Sequence, residues 1–442
     1  MGRDDPGTPS PAEDGPPPAG PGGPRPWVVA GYATAAAFVV YFCAYGVRKP
    51  YDAVTFTGEH FLGSRLDLKT ACVLGQILGY MASKYAGARV CAEVPRPRRA
   101  AVLAGCVLWS EAALVLFALA PPALKPLAML ANGLTLGVVW GLVVRYLEGR
   151  RLTDVMLVGM SASFILAGAV AKDVGLALLT GGGLSEEWMP AAAGALFLGP
   201  YLLAVRLLDR VPPPSAADVA ARAPRADMTA ADRRAFLRRV GPGLFLLFAA
   251  YLLLTAYRDF RDHYGREIFI GLGYPSAAGL FTWADRWALV GTLAALAALN
   301  AIGAHRRALL VTGGFVVGGF ALIGGATAAF RGGWLDGPDW MAGVGAGLYL
   351  AYVPFGVVLF ERLMAATRLR GTSVFAVQLA DGIGYTGSVA LQLYRDLAHP
   401  GVGRLDFFVP LSFAVSGAGV VFTLVGGAAV WRRAVRPAPS SS

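Results

Sequence analysis

The sequence predicts an all-α membrane protein with twelve transmembrane helices arranged as two six-helix halves. Composition is the first reason: 56% of the 442 residues are hydrophobic, 15% are charged, and mean hydropathy is +0.54. A chain this apolar is suited to lipid rather than to a water-facing surface. The second reason is recurrence. Stretches long enough to cross the hydrocarbon core, about 20 residues at 1.5 Å rise each, return twelve times along the chain. The third is layout, with six such stretches on either side of the longest polar, basic segment.

Residues 1–26 are rich in Pro and Gly with mixed charge, which predicts a disordered cytoplasmic tail. They do not form a signal peptide. Asp4 and Asp5 dilute the basic start, and the first apolar segment is longer than the 7–15 residues of a signal-peptide core. Ala35-Ala36-Ala37 reads as helix interior rather than a cleavage site. The first half, 27–208, holds spans near 27–49, 68–90, 99–120, 124–147, 155–179 and 188–208. A cytoplasmic linker, 209–240, follows, with Pro212–Pro214 and the basic residues Arg222, Arg225, Arg233, Arg234, Arg238 and Arg239. The second half, 241–431, holds spans near 241–258, 276–300, 307–328, 340–361, 372–394 and 409–431; residues 432–442 form a short cytoplasmic tail.

Arginines and lysines of alternate loops set the orientation. Arg89, Arg96, Arg98 and Arg99, then Arg150 and Arg151, the linker, Arg306 and Arg307, Arg362, Arg368 and Arg370, and Arg432, Arg433 and Arg436 all fall on one side. The other side carries Lys125 alone, Glu186 and Glu187, Arg331 with Asp336 and Asp339, and Arg404 with Asp406. The basic side is expected to be cytoplasmic, with both termini inside a cell inner (plasma) membrane.

The same composition excludes several functions. Formal charge is +11, but the positive residues sit in short loops, so no basic face of a soluble domain exists to hold nucleic acid. Cys43, Cys72, Cys91 and Cys106 lie in or beside apolar spans without metal spacing and read as packing residues. His60, His263, His305 and His399 fall in predicted loops and form no cluster with them. No nucleophile–base arrangement and no phosphate-binding loop is visible, so neither an enzyme nor a cofactor or metal protein is expected. The Gly382–Gly387 run matches G-x-G-x-x-G but lies in an apolar helix with no strand before it, which contradicts a dinucleotide turn. Gly137 with Gly141, Gly314 with Gly318, and Gly343, Gly345 and Gly347 read as close helix contacts.

Charged residues within the spans carry the functional signal. In Tyr45-Gly-Val-Arg48-Lys49-Pro50, two cations stand in the outer half of the first span or just at its end. An arginine at membrane depth costs about 2.5–3.5 kcal/mol on insertion scales, so it snorkels to the interface or faces a polar cavity. The second span places Gln76, Tyr80 and Lys84 four residues apart on one face. The fifth carries Lys172-Asp173, with Ser161, Ile165 and Gly168 leading to the lysine. The seventh aligns Tyr251, Thr255, Arg258 and Asp262, with Asp259 beside the arginine. The eighth holds Asp285-Arg286, and the eleventh strings Gln378, Asp381, Tyr385, Ser388 and Gln392. Such stripes on otherwise apolar helices face the bundle interior or a water-filled path. Adjacent opposite charges point about 100° apart on a helix, so each is expected to pair with another helix. The two halves echo each other, Tyr45-Gly-Val-Arg48 closing one first span and Thr255-Ala-Tyr-Arg258 the other. Two such halves around a central site are a transporter layout.

These residues resemble a known group. The span count, inside termini and basic central linker resemble the major facilitator superfamily. Arg48-Lys49-Pro50 and Gly79-Tyr80-x-x-Ser83-Lys84-x-x-Gly87 resemble its organophosphate:phosphate antiporter branch. The resemblance implies an anion held between Arg48 and Arg258 with help from Lys84. Two departures stand out. The superfamily's second-to-third-span loop motif is present only as Gly87 through Arg99 with Glu93 displaced, and Lys172-Asp173 stands where the branch has a fifth-span histidine. The segment Gly137–Arg151 is also similar to a group of uncharacterised bacterial membrane proteins.

The resulting expectation is a monomeric secondary transporter in the lipid bilayer, moving a small organic anion such as phosphate or a phosphate ester by alternating access. Arg48, Lys84, Arg258, Tyr45, Tyr80, Gln76, Lys172 and Gln378 are the expected substrate-binding residues, and Asp381 and Asp285 the expected ion-coupling groups. Two alternatives remain: a proton-coupled symporter or efflux transporter of another solute, and a transporter-like membrane sensor.

Overall fold

The computed structural model describes residues 26–150, 152–215, 218, 230–276, 279–367 and 373–435. Most of the expected tails, 1–26 and 432–442, and part of the expected linker lie outside the described residues, at 1–25, 436–442, 216–217 and 219–229.

Among the described residues there are twelve long helices, one for each predicted span. The first six are α1 (Pro26–Ala44), α2 (Leu68–Glu93), α3 (Arg96–Leu119), α4 (Lys125–Leu147), α5 (Thr153–Thr180) and α6 (Met189–Asp209). The last six are α7 (Ala230–His263), α8 (Leu280–Asn300), α9 (His305–Arg331), α10 (Gly337–Pro354, continued by Phe360–Thr367), α11 (Ser373–Ala398) and α12 (Arg404–Val430). Eight of them are long and apolar enough to cross a membrane by length and composition alone. The other four have a local cause: α2, α8 and α11 carry buried ionic groups, and α10 passes through a π-turn, Phe355–Leu359, directly after Pro354. Proline supplies no N–H to the helix ladder, which lets the turn widen there.

Within the first six helices, α1 lies against α5 and α6, α2 against α4, and α3 against α4 and α6; within the last six, α7 lies against α11 and α12, and α10 against α8 and α9. The two sets meet where α5 packs on α8 and α2 on α11. Glycine permits the closest approaches. A Cβ at Gly79 would stand 2.1 Å from the Leu130 carbonyl oxygen, and one at Gly319 would stand 2.4 Å from that of Gly347. Gly382, Gly384 and Gly387 work the same way, letting α11 close on Tyr85, Thr255 and Leu252, so the G-x-G-x-x-G pattern is a packing surface. Gly314 and Gly318, in contrast, face open space rather than a neighbouring helix.

Two boundaries differ from expectation. The helix of the seventh span starts at Ala230, inside the expected linker, and runs to His263 because Arg258, Asp259, Arg261, Asp262 and His263 all find polar partners. The first span ends earlier, at Ala44, followed by a 3-10 turn, Tyr45–Val47, and a second one, Pro50–Ala53. Arg48 and Lys49 therefore sit on irregular backbone, not in a helix.

Candidate functional site

Irregular backbone at membrane depth needs its polar groups satisfied from nearby. At the end of α1, Asn132 Nδ2 donates to the Val47 carbonyl (3.0 Å), Gln76 Nε2 reaches the Arg48 carbonyl (3.4 Å), and Gln76 and Asn132 bond to each other (2.8 Å). A Cβ at Gly46 would stand 2.1 Å from Phe197, so only glycine lets the turn seat against α6. The turn gives its two cations different surroundings.

Arg48 points into a cavity of about 220 Å³ between the first and last six helices. Tyr45, Tyr80, Lys84, Arg258 and Asp381 line the same cavity, together with Tyr251, Tyr352, Tyr385, Asp259 and Asp262. The contacts run almost as a ring. The Arg48 guanidinium carbon lies 4.3 Å from the Tyr80 ring centre, and Lys84 Nζ lies 5.6 Å from the same ring centre. Lys84 pairs with Asp381 (2.5 Å), which accepts from Tyr251 Oη (2.8 Å); Tyr251 stacks on Tyr352, and Tyr352 lies 4.4 Å under the Arg258 guanidinium. Arg258 in turn pairs with Asp259 (2.7 Å), whose other oxygen accepts from Ser388 (2.7 Å). Of the cations lining the cavity, Lys84, Arg258 and Lys49 each have a carboxylate partner. Arg48 has none among the described residues, and its Nε is buried without an acceptor.

Lys49 lines the same cavity but is tied by carboxylates into an ionic network at the far end of the bundle, where α1 finishes and α2 begins. Lys49 and Lys172 both pair with Asp262, and Asp52 sits between Lys49 (2.9 Å) and His263 Nδ1 (2.7 Å). Burial pushes the Asp52 carboxyl up, but the charges of His263 and Lys49 overcome it and hold it at about 2. Lys69 pairs with Glu267 (2.6 Å), and Arg404 bridges Asp67 (2.7 Å) and Asp396 (2.8 Å). Arg266 pairs with Glu186 (2.9 Å), which also accepts from the Thr55 and Phe56 amides. Asp173 caps the start of α8 through the Gly279 and Thr282 amides (2.9 and 2.8 Å). Each of these ties joins the first six helices to the last six or buttresses one that does.

Four expected site residues lie elsewhere. Gln76 is buried against the α1 turn and holds Arg48 in place through its backbone, so it is a positioning residue. Lys172 is spent on Asp262 in the far-end network. Gln378, near the start of α11, is exposed and does not line the cavity, although it shares a face with Asp381 and Tyr385. Asp285 is buried against Arg261 (2.8 Å), away from the cavity. The sequence reading missed Asn132, although a lone amide in an apolar helix is a signal, and it missed Asp52 and Glu267, which looked like loop charges.

Solved structures with the same arrangement are transport proteins. A D-xylose–proton symporter matches with a TM-score of 0.62 at 14% identity, over 92% of this chain and 98% of that one. A nucleoside transporter matches with a TM-score of 0.58 at 14% identity, over 91% and 99%. A POT family transporter in complex with 5-aminolevulinic acid matches with 0.56 at 14% identity, over 91% and 95%. No curated protein matches by sequence. The fold is thus that of an all-α, multi-pass membrane protein of the major facilitator type. More particularly, residues 50–432 match the model of a family of unknown function, DUF5690, and the chain belongs to that family.

Proposed function

We propose that this protein is a secondary transporter that moves a small organic anion by alternating access, with Arg48 as the principal anion contact. One observation carries the reading. The cavity is lined by four cations and three carboxylates, every carboxylate is engaged by a cation, and Arg48 is the cation left over. An uncompensated guanidinium beside a membrane-embedded cavity is costly until an anion arrives, and its planar fork matches the paired oxygens of a carboxylate or phosphate. Tyr45 and Tyr80 flank it as apolar walls with polar tips, suited to the organic part of such a solute.

A single excess positive charge favours a monoanion. A doubly charged phosphate ester needs a second cation, and the nearest source is Lys84 after it parts from Asp381. The likeness to three transport proteins that handle different solutes supports the transport role and leaves the solute to the site itself. The test is flux into proteoliposomes with pairs of solutes that share a carbon skeleton, one carboxylate and one phosphate ester. Arg48→Lys keeps the charge but loses the fork, and is expected to lose most flux while inserting and folding normally. Full flux in Arg48→Lys overturns the assignment.

A second reading of the coupling rests on Asp381, a carboxylate on the cavity wall held by Lys84 and Tyr251. In this reading a proton on Asp381 releases Lys84 to the solute, which ties solute binding to the proton gradient.

A further inference from the structure

A second cationic cavity lies at the end of the bundle opposite the ionic network, between the start of α3, the end of α4 and the chain leaving α6. Its volume is about 330 Å³, and Arg96, Arg99, Arg145, Arg150, Glu148 and Pro212–Pro214 line it. Four arginines against one carboxylate give the lining a net positive charge of three. Arg96, Arg99 and Arg150 are half-buried, yet their hydrogen bonds go to backbone carbonyls: Arg96 to Val211, Arg150 to Pro212, and Arg99 to Arg145 (3.0 Å). Each guanidinium has five N–H donors, so a single carbonyl leaves most of them free. The Nε groups of Arg99 and Arg150 are buried without an acceptor, and among the described residues Arg96, Arg99 and Arg150 form no ion pair. Burial lowers the hold of Arg150 on its proton, and the charge of Arg96 adds to this, with Asp218 opposing both.

The backbone around the cavity is shaped to keep it open. Gly149 turns the chain after α4 at a φ of +83°, a region that favours glycine, and Pro214 lies 3.3 Å from where its Cβ would be. Pro212–Pro214 wall the cavity with rigid, uncharged residues; Pro212 offers its carbonyl to Arg150, and Val211 just before it offers its own to Arg96. Arginine rather than lysine throughout fits the planar, multi-oxygen geometry of a phosphate group.

We propose that this cleft binds a phosphate-type anion, supplied either by a soluble phosphate compound or by the headgroup of an anionic phospholipid. Its occupation clamps the segment leaving α6 to the α4–α5 loop, and it does so independently of the central cavity. Two measurements on the purified full chain test this and distinguish the sources. Pyrophosphate is titrated calorimetrically against protein in neutral detergent. In parallel, melting temperature is compared in phosphatidylcholine nanodiscs with and without phosphatidic acid. Binding in the first arm, or stabilisation in the second, should fall by about tenfold or more in affinity in Arg99→Gln/Arg150→Gln, as expected for lost charge-assisted contacts. Arg306→Gln, an exposed arginine elsewhere on the same side, should leave it unchanged. Should the double variant fail to fold, Arg150→Lys, which keeps the charge and loses the fork, serves in its place with a weakening of about threefold or more expected. No response in either arm, or a response undiminished in these variants, overturns the proposal.

Discussion

Lys84 Nζ lies 2.5 Å from Asp381 Oδ2, joining α2 to α11 across the central cavity. The other polar ties between the first and last six helices that the structure shows are gathered at the far end, from Lys49–Asp262 to Arg404–Asp67. Lys84–Asp381 stands apart from them, beside Arg48, the cavity-lining cation without a carboxylate partner among the described residues. It is the tie that a bound anion can compete with directly.

Asp381→Asn should therefore change selectivity as well as coupling. The variant leaves Lys84 without its carboxylate, so the cavity gains a second free cation and should favour a dianionic over a monoanionic solute relative to wild type. If Asp381 carries the coupling proton, accumulation driven by a pH gradient disappears while solute exchange continues. Competition binding with matched carboxylate and phosphate ester reads the first effect, and flux with and without a gradient reads the second. Unchanged selectivity together with full gradient-driven uptake makes Asp381 a structural residue.

Arg48 and Arg258 should respond differently to replacement by lysine. Arg48 has no carboxylate partner among the described residues to lose, so Arg48→Lys should weaken anion binding by about ten- to a hundredfold, the loss of one charge-assisted contact of roughly 1.5–3 kcal/mol, with little effect on melting temperature. Arg258 holds Asp259 through both Nε (3.0 Å) and a terminal nitrogen (2.7 Å). Arg258→Lys should lower stability as well as binding. Parallel binding and thermal-melt measurements check the contrast; equal stability losses in both variants remove it.

At the far end, Asp262 compensates two buried lysines, Lys49 and Lys172. Asp262→Asn leaves Lys172 without its carboxylate and Lys49 with Asp52 alone, and breaking a buried pair costs about 3–5 kcal/mol. The expected result is a clear fall in melting temperature and faster reaction of a cysteine placed at the exposed Glu59 beside the network. Wild-type melting and reactivity would show that the network does not hold this end shut.

Asp52 gives a pH dependence with a defined sign. Its folded-state value of about 2 lies below the ordinary unfolded value of about 3.9. The ionised carboxylate thus stabilises the fold above about pH 4, and that contribution is lost as pH falls through 2. The difference corresponds to about 2–3 kcal/mol. Chemical unfolding between pH 5 and pH 2, compared between wild type and Asp52→Asn, should show a shallower pH slope in the variant. Parallel slopes contradict the assignment.

Topology can be read with the protein's own cysteines nearly silent, since Cys43, Cys72, Cys91 and Cys106 are all buried. Single cysteines at Arg98 and Arg306 should react with an impermeant reagent only from the cytoplasmic side, and one at Glu59 only from outside. Labelling of the Arg98 site in intact cells reverses the orientation.

The sequence by itself determined the number and placement of the long helices, because burial in lipid demands about 20 apolar residues per crossing and the chain repeats that length. It also marked Arg48, Lys84, Arg258 and Asp381, since an ionisable group on an apolar helix face stands out against its neighbours. Only the tertiary structure decided what each charge does. Whether a cation is free or paired depends on carboxylates distant in sequence: Lys84 meets Asp381 from 297 positions away, and Lys49 meets Asp262 from 213. The surroundings of each side chain were equally invisible. Arg48 and Lys49 are neighbours and both line the cavity, yet only Lys49 is tied into the far-end network. Gln378 and Gln76 looked like Asp381 and Tyr80 in a linear pattern, but one is exposed outside the cavity lining and the broken end of α1 claimed the other. Periodicity follows from local backbone geometry, whereas charge compensation is a property of how the helices assemble.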